Sequence, residues 1–129
     1  MKKLKIGLLS YRSDPFSGGQ GIYVKNVSEA LLNRGHEVTI FSGKPLPVVD
    51  ERIKVVEIIT PGYFETFNSL ERFKIFQAQE KTRLNLWDFI ETFTGTFTEP
   101  IFFGDRLLQN KEFANSADSY DVFHDNQSI

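Results

Sequence analysis

A chain of 129 residues is long enough for one domain and too short for two. Hydrophobic residues make up 40% and charged residues 25%, which excludes a disordered chain, and thirteen Phe, four Tyr and one Trp supply ample apolar surface for a core. The net charge of −2 gives no electrostatic case for nucleic acid or an anionic membrane, and the lack of cysteine excludes disulfides and thiolate metal sites.

The N-terminus opens with two lysines before an apolar run, Leu4 to Leu9. Lys5 and Gly7 interrupt that run, and Ser10, Arg12 and Asp14 follow at once, so it is too short for a signal-peptide core. No stretch approaches the roughly 18 apolar residues of a membrane span. A soluble cytoplasmic protein is the expectation.

Leu4 to Ser10 reads as a strand buried on both faces, as in a parallel sheet. Tyr11 to Gly21 reads as a loop, with Asp14-Pro15, Ser17 and three glycines. From Ile22 the period becomes helical through Val24, Val27 and Leu31, and Gly35 sits where a glycine ends a helix. Glu37 to Ser42 is β-branched and reads as a second strand, stopped by Gly43, Pro45 and Pro47. Ile53 to Ile59 is a third, closed by Pro61-Gly62. The natural arrangement is a right-handed parallel βαβ unit with a further strand.

Between Tyr63 and Phe103 apolar residues recur every three or four positions: Phe64, Phe67, Leu70, Phe73 and Phe76, then Leu84, Trp87, Ile90 and Phe93. The spacing predicts one or two helices over 68–94, capped by Asn68 or Ser69, then a break at Thr94-Gly95-Thr96. Pro100 opens another predicted helix, 100–115. The aromatic cluster serves either as core packing or as a groove for a lipid or aromatic acceptor. Asp121 to His124 starts a buried strand.

Two segments carry chemistry. Ser17-Gly18-Gly19-Gln20-Gly21 follows a strand and opens a helix, where N–H groups and the helix dipole suit a phosphate. The dinucleotide fingerprint fails because position 24 is Val, and the P-loop fails because no Gly-Lys-Ser/Thr follows. Either the glycines let a ligand approach the backbone, with no room for a Cβ at Gly18 or Gly19, or they form a flexible connection. The second segment is His124-Asp125-Asn126-Gln127, polar residues at the carboxyl end of a strand, where open α/β sheets bind ligands. With only His36 and His124 in the chain, no metal constellation exists.

Taken together, Lys5–Ser10, Gly18–Val24, Leu31–Ser42 and Asp121–His124 resemble glycosyltransferase family 4. The likeness is clear over residues 3–43 and 120–127 and vague between. The resemblance implies a GT-B enzyme with two Rossmann-like domains, of which residues 1–129 are part of the N-terminal, acceptor-side one. The C-terminal domain for the nucleotide sugar is absent. It implies retaining, metal-free transfer from a UDP-, GDP- or ADP-sugar to an acceptor the sequence does not specify, with no cofactor. Peripheral membrane contact is compatible with it. It places Gly18, Gly19, Gln20 and Gly21 on the donor phosphates, His124 and Asn126 at the transferred sugar, and Tyr11, Arg12 and Asp125 on the acceptor side. The family often has His-x-His here. Asn126 replaces the second His and cannot titrate, which removes any proton-carrying role at that position. The competing readings are a non-catalytic sugar- or phosphate-binding module and a truncated remnant.

Overall fold

The computed structural model describes residues 1–16, 18–61, 68–94 and 99–126. Four strands form one parallel sheet: β1 (Lys5–Ser10), β2 (Glu37–Ser42), β3 (Lys54–Glu57) and β4 (Val122–Asp125), in the order β3-β2-β1-β4. Helix α1 (Gly19–Asn33) makes the first crossover. Among the described residues, four α-helices lie between β3 and β4: α2 (Ser69–Ala78), α3 (Arg83–Glu91), α4 (Glu99–Gln109) and α5 (Lys111–Ser116), followed by a 3-10 turn at Ala117–Ser119.

Strand alternation sorts the side chains into two cores. On one face Ile6, Leu8, Val38 and Ile40 pack against Val24 of α1. On the other, Phe41, Val56 and Ile58 meet Phe103 and Leu107 of α4 and Phe113 of α5. Phe41 is fully buried, with the Phe113 ring edge-on to it at 5.1 Å. Gly7 is opposite Phe123 in the register, and the Phe123 ring occupies the space where a Cβ on Gly7 would sit.

The turn into β2 follows from three residues. Gly35 has φ +90°, and the Gly35 and His36 N–H groups donate to Leu32 and Leu31 carbonyls, closing the end of α1. The buried His36 Nδ1 then accepts from Leu4 N at 3.2 Å, tying the starts of β1 and β2 together. That histidine is structural.

The predicted elements all exist, with shifted limits. Helix α1 begins three residues earlier than Ile22, and β3 is shorter than 53–59. The stretch 68–94 holds two helices, capped by Asn68 and Thr82, whose side chains accept from Leu70 N and Asn85 N. The single helix expected over 100–115 is split at Asn110, whose side chain accepts from Phe113 N and starts α5 afresh. The strand at 121–124 was expected to be buried, yet β4 is exposed along its length. It pairs only with β1 among the described residues, so it is an edge strand. The break at 95–96 and the aromatics Phe64 and Phe67 lie outside the described residues.

Candidate functional site

The chain leaves β1 toward β2 and β3 on one side, and places β4 on the other. The strand order therefore reverses between β1 and β4. In open parallel sheets the crevice at such a reversal, outside the strand carboxyl ends, is where ligands bind. The Tyr11–Gly21 segment follows β1 there, and His124, Asp125 and Asn126 end β4 beside it.

Hydroxyls hold the first part of the loop. Ser42 Oγ donates to Ser13 Oγ (3.0 Å), Ser13 Oγ to Ser10 Oγ (2.9 Å), and Ser10 Oγ to the Arg12 carbonyl (2.9 Å). All three serines are buried, and the Gly43 carbonyl, 2.8 Å from Ser42 Oγ, is an alternative acceptor for that hydroxyl. Ser13 N also donates to Pro45 O at 3.0 Å. The chain stitches the ends of β1 and β2 to the loop and fixes where Arg12 and Asp14 emerge. Gly21 fits the same design: a Cβ there would stand 1.8 Å from the Asp14 carbonyl oxygen. Only a glycine lets α1 approach the loop this closely.

The expectation of a glycine without room for Cβ at position 18 or 19 is therefore divided. Gly18 has φ +77°, a backbone that L side chains rarely adopt, but open space around it. Gly19 has neither constraint. The crowded position is Gly21.

Arg12, Asp14 and Gly18 to Gly21 line a cavity of about 240 Å³ at the start of α1. Gly18 caps α1 without a side-chain hydrogen bond, and its first turn carries no acidic residue. Its leading N–H groups thus face the cavity region with the positive end of a 15-residue helix behind them. The helix start and Arg12 favour an anion there, and the Asp14 carboxylate in the same lining opposes one. Ser17 lies outside the described residues.

Across the crevice, His124 pairs with Leu8 in the register and its ring lies 6.3 Å from the Tyr23 ring of α1. Asp125 is exposed, opposite Leu9. Asn126 N donates to Leu9 O at 3.0 Å, while its Nδ2 is buried without a hydrogen-bond partner among the described residues. Tyr11 is buried, its ring edge-on to Phe103 at 6.3 Å, so its aromatic face belongs to the core. The structure therefore gathers Arg12 and the glycines at one cavity and His124 to Asn126 on the neighbouring strand end. Gln127 lies outside the described residues. Among the described residues no group of three His, Asp or Glu is placed to hold a metal ion.

Sequence reasoning passed over two arrangements. One is the serine chain, signalled by a Ser ending both strands, Leu-Leu-Ser10 and Ile-Phe-Ser42. The other is the buried Asp88–Arg106–Asn85 cluster between α3 and α4. Its partners are about twenty residues apart with no pattern linking them.

A parallel sheet with order reversal, flanking helices and a helix start at the crevice defines an α/β, Rossmann-like chain. No family profile matches it. The chain is 35% identical over 128 residues to an MMP alpha-(1->4)-mannosyltransferase from Mycolicibacterium hassiacum, an alignment covering 98% of this chain and 30% of that protein. The chain is thus related to a glycosyltransferase and spans about a third of that relative's length. No helix among the described residues is long and apolar enough to cross a membrane.

Proposed function

We propose that these residues form part of the acceptor-side domain of a GT-B glycosyltransferase of family 4 type. The parent enzyme transfers a sugar, with retention and without a metal, from a nucleoside-diphosphate sugar to an acceptor. The observation that carries this reading is the crevice between β1 and β4, where the uncapped start of α1 adjoins the end of β4. The relationship to a mannosyltransferase supports it and makes a mannosyl donor the first to try.

In this reading the N–H groups of Gly19 to Gly21 and the Arg12 guanidinium face the diphosphate, stabilising the charge that builds as it departs. The unpartnered Asn126 amide donates to a hydroxyl of the transferred sugar. His124, beside Tyr23, bounds the sugar on the β4 side. Asp125 is on the acceptor side. The remaining donor contacts belong to a second domain, so residues 1–129 alone do not turn over.

The test is a titration of the 129-residue chain with UDP, GDP and ADP, followed by backbone amide NMR. One of them is expected to shift resonances of residues 12–21 and 124–126 saturably. No saturable shift there with any of the three would refute the phosphate role. Turnover of a nucleotide sugar by the isolated chain would refute the two-domain reading. In a longer protein containing this sequence, Gly19→Val should raise the donor KM or lower kcat with little loss of stability, because nothing stands within 4 Å of its Cβ position. Binding without turnover in that longer protein would favour the non-catalytic module.

A further inference from the structure

Helix α3 is inverted with respect to solvent. Its buried residues are Asn85 and Asp88, while Leu86, Trp87 and Ile90 are exposed. A surface helix ordinarily turns its apolar stripe inward, and an outward apolar patch marks a contact site. Beside Trp87 the surface is also concave: Leu84, Leu86 and Trp87 of α3 and Phe102 of α4 line a groove of about 620 Å³. An exposed aromatic side chain and an apolar groove therefore share one patch.

That combination fits a second copy of the chain. In a twofold contact the same patch must supply both the projection and the recess, because each copy gives what the other receives. The charges are arranged the same way. Arg83 and Glu91 stand four residues before and four residues after Trp87, so all three share a face of α3. If two α3 helices cross antiparallel about an axis at Trp87, Arg83 of each copy comes level with Glu91 of the other. Leu84 and Ile90, three residues to either side, come level likewise. Among the described residues neither Arg83 nor Glu91 is in an ion pair. An anionic lipid surface gains no net attraction, since Arg72, Lys74, Lys81 and Arg83 are equalled by four carboxylates between Ser69 and Glu91.

We propose that two copies of this chain associate through α3, each Trp87 seated in the groove beside the other's and Arg83–Glu91 pairs closing both ends. The inference stands on this surface and does not depend on the glycosyltransferase reading. The contact stabilises the chain only above its Kd, so in dilute solution the face behaves as solvent-exposed.

The test is sedimentation equilibrium of the 129-residue chain over a range of concentrations, with fluorescence of Trp87, its single tryptophan. The mass should rise from 14.8 kDa toward twice that value, and the emission should move to shorter wavelength in step. Trp87→Ala should weaken association at least roughly tenfold, as loss of a central aromatic anchor does. Arg83→Glu or Glu91→Arg alone sets like charges together at both ends and should weaken it roughly two- to thirtyfold. The double variant Arg83→Glu/Glu91→Arg should restore it. These exchanges put an acid in the first turn of α3 and a base in the last, which suits the helix dipole and preserves folding. The proposal is overturned if the chain stays at 14.8 kDa up to about 1 mM. It is overturned as well if dimers form equally in every variant, or if the chain binds phosphatidylglycerol vesicles and not itself. A longer protein containing this sequence that is monomeric and shields Trp87 from N-bromosuccinimide would also overturn it, because the rest of that chain then covers the groove.

Discussion

The sheet and the helical segment between β3 and β4 use opposite solutions to burial. In the sheet, Ile40 and Phe41 are wholly enclosed and the buried polar groups are short serines and a threonine. Helix α2 buries no residue, and α3 buries only Asn85 and Asp88. Its apolar residues Leu86, Trp87 and Ile90 are exposed, while Phe89 stacks on Phe76 at 4.5 Å and meets Phe93 edge-on at 5.2 Å. The lesson is that helical spacing of apolar residues announces a helix without saying which face turns inward. The α3–α4 contact is organised by an ion pair inside, with apolar side chains outside.

The largest effects should test that contrast directly. Phe41→Ala should destabilise by about 3–5 kcal/mol through a cavity in the sheet core. Asp88→Ala should cost about as much, for a different reason: it leaves the Arg106 guanidinium buried and unpaired. Urea unfolding measures both, and the double variant Asp88→Leu/Arg106→Met tells them apart. It should recover most of the loss, whereas a cavity effect would not be relieved by removing the arginine.

Gly21→Ala should cost about 1–3 kcal/mol, since the new methyl meets the Asp14 carbonyl and the loop must move. Gly19→Ala, two residues away, should change stability by less than about 1 kcal/mol. Equal losses at the two glycines, read from thermal unfolding, would contradict the close approach of α1 to the serine-stitched loop.

Smaller still are changes on the apolar outer face of the helical segment. Leu86→Gln and Leu108→Gln should each stay within about 0.5 kcal/mol, because both side chains are exposed. A loss several times larger would mean that this face is covered in solution and would break the contrast.

The smallest effect lies in the β2–β3 connection. The Arg52 guanidinium, hydrogen-bonded to Asp50, holds its carboxyl at about 2, below the ordinary 3.8. A depressed carboxyl stabilises the fold above its unfolded value, so this contribution is complete above pH 3.8 and is lost as pH falls toward 2. An NMR titration of Asp50 should show that midpoint, and Arg52→Gln should move it up toward 3.8. Arg52 is exposed and Asp50 partly so, and solvent screens the pair, so the melting temperature should scarcely respond.

The sequence by itself determined the parallel α/β class, the four strands, α1, helix in 68–94 and 100–115, a cap at Asn68 or Ser69 and the glycine that ends α1. These depend on alternation, on residues four or fewer apart, and on side chains that bond their own backbone. It also marked the glycine loop and His124 to Asn126 as candidate segments, because each follows a strand. Only the tertiary structure decided that β4 lies beside β1 at the sheet's edge, which sets the end of β4 next to the loop that follows β1. It also decided that Tyr11 turns into the core, that Gly21 rather than Gly19 is the crowded glycine, and that Asp88 meets Arg106 inside. Each of these depends on contact between segments distant in the chain or on the path of a loop, and neither composition nor spacing encodes where such surfaces meet.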